Sequence, residues 1–377
     1  MTLFDRSEMQ FFPLASRKNK VEIVSSSRAV LEDRSALPAE LDARTYQIAQ
    51  QILKARETSA SVILAFGAHT IKNSLGVLLI EFIKRGWLTH LATNGAGVIH
   101  DWEFAFQGLS SEDVRENVDQ GRFGTWHETC LTLNLALAVG AFEGRGYGES
   151  VGSMILQNGL ELPSRENLTS LISAPLLSLD AETLATRAAA ADLLSLLVDL
   201  DLPSGWYPVA HRFAEYSVQK AALTARVPFT SHPMFGCDII YTHPANHGAA
   251  LGRTAERDFL SFAHSVANLE GGVYLSVGSA VMSPMIFEKS LSMARNVAQQ
   301  RGKDIRDCHI HVVDLAEAAW DWSQGEPPLD NPAYYHRFMK TFHRMGCDLD
   351  YTATDNRLFF LALYRNLLKL DATSERN

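Results

Sequence analysis

Apolar positions along the chain follow two alternating rhythms. Leu41, Tyr46, Ile48, Ile52 and Leu53 recur at the spacing of one helix face, which predicts a helix over residues 38–57 with Pro38 near its start. SVILAFGAH at 61–69 is short, wholly apolar and broken by Gly67, the signature of a buried strand. IKNSLGVLLIEFIKRG at 71–86 is amphipathic again and closed by Gly86, and LTHLATNGAG reads as a second strand with its glycine turn. Strand, helix, strand and glycine turn are the grammar of a parallel α/β sheet. The rhythm returns in VPFTSHPMFGCDIIY at 227–241, in VYLSVGSA at 273–280 with a helix behind it, and in CHIHVVDL at 308–315. RLFFLALYRNLLKL at 357–370 reads as a closing helix. Residues 126–200 look mostly helical, with a helical insertion near 160–205. Residues 1–37 are polar and read as an irregular lead-in to one α/β domain over 38–377. The predicted fold is a doubly wound, mostly parallel sheet with extra helices.

Composition narrows the function classes. A net charge of -9 argues against a nucleic-acid or anionic-membrane surface. No apolar run approaches the roughly 18–20 residues of a membrane span, and MTLFDRSEMQFF carries an early acid and no signal-peptide core. Cys130, Cys237, Cys308 and Cys347 are widely spaced and form no CxxC pair, which argues against a disulfide framework and a thiolate zinc site. A soluble protein of the reducing cytoplasm is the expectation.

Candidate chemistry gathers at the ends of the predicted strands. Gly67-Ala68-His69-Thr70, Thr93-Asn94-Gly95-Ala96-Gly97 and Gly278-Ser279-Ala280 each follow a strand. In a parallel sheet these ends share one edge, where small residues let a ligand approach the backbone and helix N-termini take phosphate. Asp101 or Glu103 would then hold a ribose hydroxyl. Taken singly, TNGAG is equally a tight turn, and it is not GxGxxG. A second cluster lies in FTSHPMFGCDIIYTHPANHG at 229–248, with His232, Cys237, Asp238, His243 and His247. It reads as a ligand-lining loop. The alternative is a metal site, and a hydrolase built on it, using His232, Asp238, His243 and His247. Lys340, among Phe338, Met339 and Phe342, is either a surface lysine passing apolar neighbours or a desolvated nucleophile. No GxSxG elbow, Walker A loop or EF-hand loop is present.

In order along the chain, these segments resemble deoxyhypusine synthase. VILAFGAHTIKNSLGVLLIEFIKRGWLTHLATNGAGVIHD is similar to that family's NAD-binding stretch, with Thr93, Ala96 (or Gly95), Gly97, Val98 and Asp101 on matching positions. VPFTSHPMFGCDII, VYLSVGSAV, HVVDLAEAAWD and Asp355-Asn356-Arg357-Leu358-Phe359-Phe360 resemble later family segments, and Lys340 falls near the place of its catalytic lysine. The resemblance implies a Rossmann-like fold, a homotetramer, and NAD held by Gly67, Thr93, Asn94, Gly95, Ala96, Gly97, Asp101, Gly278, Ser279, Asp314, Asp355 and Asn356. It further implies transfer of an aminoalkyl group from a polyamine or other amine to an acceptor amine or protein. An imine on Lys340 would carry the group, with His232 and Asp238 beside it. Phe338-Met339 replaces the family's Trp-Gly, and Ser279-Ala280-Val281-Met282-Ser283-Pro284 replaces its Gly-Val-Val-Lys-His-His run. The groups that hold a polyamine are thus lost, while those that hold a dinucleotide are kept. An NAD-dependent oxidoreductase or lyase without a covalent lysine, and a non-catalytic nucleotide-binding protein, are the competing readings.

Overall fold

The computed structural model describes residues 2–175, 180–317 and 320–374. Positions 176–179, 318 and 319 lie outside it, and with them part of the helical stretch predicted over 126–200 and the Ala318-Ala319 part of the HVVDLAEAAWD resemblance.

Six strands form the central sheet: β1 (Val62–Phe66), β2 (His90–Thr93), β3 (Phe229–Ser231), β4 (Gly272–Val277), β5 (Cys308–Asp314) and β6 (Asp348–Ala353). All pairs are parallel, and the order across the sheet is β3-β2-β1-β4-β5-β6. The chain builds β1 to β3 outward to one side. It then crosses back to place β4 against β1 and builds outward to the other. This is the doubly wound, Rossmann-like order, with its reversal between β1 and β4. Alternate side chains supply two cores. Val62, Leu64, Phe66, Leu91 and Leu275 join the helices Ala39–Glu57, Gly76–Lys84, Gly95–Gln107 and Asn356–Ser374 on one face. Ile63, Ala65, Ala92, Tyr274 and Ile310 join Gly248–Val266, Met282–Gln300 and Arg337–His343 on the other. Central strands buried on both faces explain their continuous apolar runs.

The structure departs from the sequence reading at several elements. The predicted 71–86 helix is two helices, Ala68–Lys72 and Gly76–Lys84, because buried Ser74 takes a left-handed backbone (φ 61°) between them. The predicted 227–241 strand stops at Ser231, and the rest is a loop and a short turn of helix. The lead-in is not irregular. It carries a helix at Ile23–Leu31, pairs Val21–Glu22 with Leu109–Ser110, and buries Arg17 in a two-pronged pair with Glu103 (2.7 and 2.6 Å). Cys308 and Cys347 form a disulfide tying the start of β5 to the approach to β6, against the expectation from cysteine spacing; Cys130 and Cys237 are free. Among the described residues no helix is long and apolar enough to cross a membrane.

Candidate functional site

In an open parallel sheet the crevice forms outside the carboxyl ends of the strands, where the strand order reverses. At that point the structure has a cavity of about 550 Å³. Its walls come from four strand ends: Gly67 after β1, Asn94 and Ala96 after β2, His232 to Asp238 after β3, and Gly278 to Ile286 after β4. Backbones meet closely here. A Cβ on Gly67 would run into the Gly278 carbonyl oxygen, so β1 and β4 can approach only with glycine at 67. Gly278 itself has φ 59° and lies against the Asn356 side chain. Exposed apolar side chains rim the mouth, among them Met234, Val281 and Met285.

Of the residues singled out from the sequence, Gly67, Asn94, Ala96, His232, Asp238, Gly278 and Ser279 line this crevice. Asn94 also caps the Gly95–Gln107 helix, accepting the Gly97 N–H (3.0 Å). Other residues have internal partners instead. Thr93 is buried and donates to the Phe66 carbonyl (2.9 Å), and Gly97 packs on the Thr93 side chain. Asp101 does not line the crevice. It is buried and accepts from Ser217 Oγ (2.7 Å), Val218 N (2.8 Å), Gln219 N (3.3 Å) and Gln219 Nε2 (2.9 Å), capping the Val218–Ala225 helix. Glu103 is consumed by Arg17, Ser110 and Thr129. Asp314 accepts from Ala316 N (3.1 Å) and exposed Asp355 from Arg357 N (2.8 Å); neither lines the cavity.

Lys340 is likewise not among the crevice residues. Its ammonium lies over the Tyr334 ring, 3.1 Å from the centroid, and 3.7 Å from Glu326. The histidines of the metal alternative are held apart. His232 pairs with Thr230 (3.0 Å), His243 packs on Phe11 and His127, and His247 approaches Asp192 (3.9 Å). Among the described residues no group of three or more His, Cys, Asp or Glu is placed to hold a metal ion.

The N-terminus of the Gly95–Gln107 helix, which the sequence reading offered to a phosphate, faces an acid of the chain itself. Asp238 lies so close to Gly95 that any Cβ there would collide with its carboxylate. The Ala96 N–H and the Tyr241 hydroxyl (3.3 Å) donate to it. Burial nevertheless dominates, and the carboxyl is pushed up to about 6. Burial lowers the nearby His232 imidazole to about 3, so it stays neutral.

Behind Asp238 lies a second, smaller chamber of about 170 Å³ that the sequence did not reveal. It shares Ala96, Cys237 and Asp238 with the crevice and is otherwise lined by Arg17, Lys72, His100 and Glu112 among others. Only the long-range packing of the N-terminal segment brings Arg17 to it, which no local motif announces.

No family model matches the chain, and no curated protein matches it. Solved structures with a similar chain path include the ternary complex of AgrE with ornithine and NAD+ (TM-score 0.44, 14% identity, 90% of this chain and 35% of that one). Another is a conserved putative LOR/SDH protein from Methanococcus maripaludis S2 (TM-score 0.44, 11% identity, 90% and 74%). A third is apo ArgZ, an arginine dihydrolase from the ornithine–ammonia cycle in Cyanobacteria (TM-score 0.43, 12% identity, 89% and 33%). The chain spans about a third of AgrE and of ArgZ. These likenesses bear on the path of the chain alone. No family model and no curated protein places the chain in the deoxyhypusine synthase family, the similar structures named here are AgrE, ArgZ and a LOR/SDH protein, and the resemblance read from its segments is withdrawn.

Proposed function

We propose that the protein is an NAD-dependent oxidoreductase or lyase acting on a small molecule, without a covalent lysine. The observation that carries this reading is the β3-β2-β1-β4-β5-β6 order with its cavity at the β1/β4 reversal. The residues present fit a dinucleotide. Gly67 lets β1 and β4 close together beneath the crevice, and the cavity is mainly apolar with a few convergent polar groups. Gly67, Asn94, Gly278, Ser279 and Asn356 would hold it. NAD, when bound, supplies a two-electron acceptor of hydride.

The chain's own part is the proton. Asp238 borders both cavities and is partly ionised near neutral pH, the condition for a general base. It would take the proton from a substrate hydroxyl or amine as the adjacent C–H leaves as hydride, so that a C=O or C=N bond forms. Neutral His232 would orient groups by hydrogen bonding. Lys340, bound to Glu326 and Tyr334, has no part in this reading. Calorimetric titration of the protein with NAD+ tests it. Binding in the micromolar to low-millimolar range, weakened by Gly67→Ala, is expected; no heat with any dinucleotide would refute it.

A further inference from the structure

The inner chamber next to Asp238 has a charge pattern that selects its occupant. The Arg17–Glu103 pair is internally satisfied. Both guanidinium nitrogens bind Glu103, Nε binds Asn19 (2.9 Å), and Glu103 takes Ser110 and Thr129 as well. Glu112 accepts from Trp126 Nε1 (2.9 Å) and Asn117 Nδ2 (2.7 Å), one bond to each oxygen. Lys72 differs. It ends the short helix after β1, is half-buried, lines the chamber, and makes no hydrogen bond or ion pair among the described residues.

His100 adds a definite acceptor. The single Ser110 hydroxyl proton goes to Glu103 (2.6 Å), so at the 2.8 Å contact with His100 Nδ1 the Ser110 oxygen must accept. The imidazole therefore carries its proton on Nδ1, and Nε2 is a bare lone pair with no partner among the described residues. Burial lowers this imidazole to about 4, with the Lys72 charge contributing, so the neutral tautomer persists at neutral pH.

We infer that the inner chamber is the substrate pocket and takes a small carboxylic acid bearing an α-amino or α-hydroxyl group, its carboxylate on Lys72 and its donor hydrogens on His100 Nε2 and Asp238. The chamber thus holds one unpaired cation, Lys72, one unpaired acceptor, His100 Nε2, and the Asp238 carboxyl, which has only the Ala96 N–H and the Tyr241 hydroxyl as donors; together they complement such an acid. A chamber of about 170 Å³ limits it to roughly ten heavy atoms. The inference rests on the oxidoreductase reading for its chemistry. NAD, held by the crevice residues, would supply the hydride acceptor for the α-carbon, and Asp238 would take the proton from the heteroatom, so that an α-imino or α-keto acid would result. The shared wall of Ala96, Cys237 and Asp238 is where the two would meet.

The test is calorimetric titration with α-aminobutyrate and α-hydroxybutyrate, and with propylamine and propanol, which lack the carboxylate, each with and without NAD+. The two acids should bind on the order of 10- to 100-fold more tightly than their decarboxylated counterparts, the value of one charge-assisted bond. Lys72→Met should erase that preference, and Lys72→Arg should retain most of it. NAD+ should bind wild type and both variants equally. Equal binding of acids and decarboxylated analogues, no binding of either acid to wild type, or an undiminished preference in Lys72→Met would each overturn the assignment. Acid binding through Lys72 in a protein that does not bind NAD+ would instead leave this pocket standing and remove the oxidoreductase reading.

Discussion

Asp101 separates a structural role from a cofactor role in one substitution. The sequence offered it as a ribose-binding acid. The structure gives its two oxygens four donors, from Ser217, Val218 and Gln219. In Asp101→Asn one oxygen becomes an NH₂ group. The amide settles with its NH₂ at the Oδ1 position, because Oδ2 holds three of the four donors, and only the Val218 N–H then faces a donor. An unsatisfied buried donor costs about 1–3 kcal/mol. Unfolding entropy of about 2.1 cal/mol/K per residue over 377 residues is about 0.8 kcal/mol per kelvin. The variant should therefore melt about 1–4 °C lower by scanning calorimetry. Its NAD+ affinity at 25 °C should match wild type, because no Asp101 atom lines the crevice. A melting point within a degree of wild type, with NAD+ affinity reduced tenfold or more, would refute the structural reading and restore the ribose contact.

Three further outcomes follow from the same geometry. Gly67→Ala drives a Cβ into the Gly278 carbonyl, backbone against backbone; thermal melting should fall by several degrees and NAD+ binding should weaken in calorimetry, whereas wild-type values for both would contradict the close approach. Asp238, raised to about 6 by burial, works as a base only when ionised, so oxidation of the bound acid should rise with pH through about 6 and then level; Asp238→Asn should be slower by about 100-fold or more and lack that rise, and an unchanged profile assigns the proton elsewhere. The Cys308–Cys347 disulfide closes a separation of 39 residues, worth up to about 4 kcal/mol by loop entropy; reductant or Cys347→Ser should lower the denaturation midpoint accordingly while leaving NAD+ affinity unchanged, since the bond sits at the amino ends of β5 and β6, away from the crevice.

What could be read from the sequence was what is local. Gly67, Asn94 and Gly278 announced three strand ends, and the parallel rhythm placed them on one edge. The strand order could not be read, because periodicity says nothing of which strand lies beside which. The edge strand β6 was missed for a physical reason. Its Asp348-Leu349-Asp350-Tyr351 alternation is a strand period, but it is short, and with both acids exposed toward His309 and His311 of β5 it lacks the continuous apolar run that marks the central strands. Arg17 could not be singled out locally, because its partner Glu103 is 86 residues away. The Cys308–Cys347 bond left no spacing motif for the same reason.

Asp238 shows why the glycine-rich turn resisted a single reading. Gly95 is small because something approaches it, as a phosphate would require, but the approaching group is the chain's own carboxylate. A helix N-terminus favours a negative charge by about 0.3–1 kcal/mol, up to roughly 2 when partly buried. Here the carboxyl still rises from 3.8 to about 6, a net cost of ionisation on the order of 3 kcal/mol. Burial therefore exceeds the pull of the helix end and its two hydrogen bonds together. The balance leaves a base that is ionised for much of the time at neutral pH and still holds its proton firmly once protonated. A substrate ammonium arriving beside it would supply the missing countercharge and bring the carboxylate fully into its ionised form. The apolar burial that makes Asp238 costly in the free protein thus becomes binding selectivity for a donor-bearing substrate.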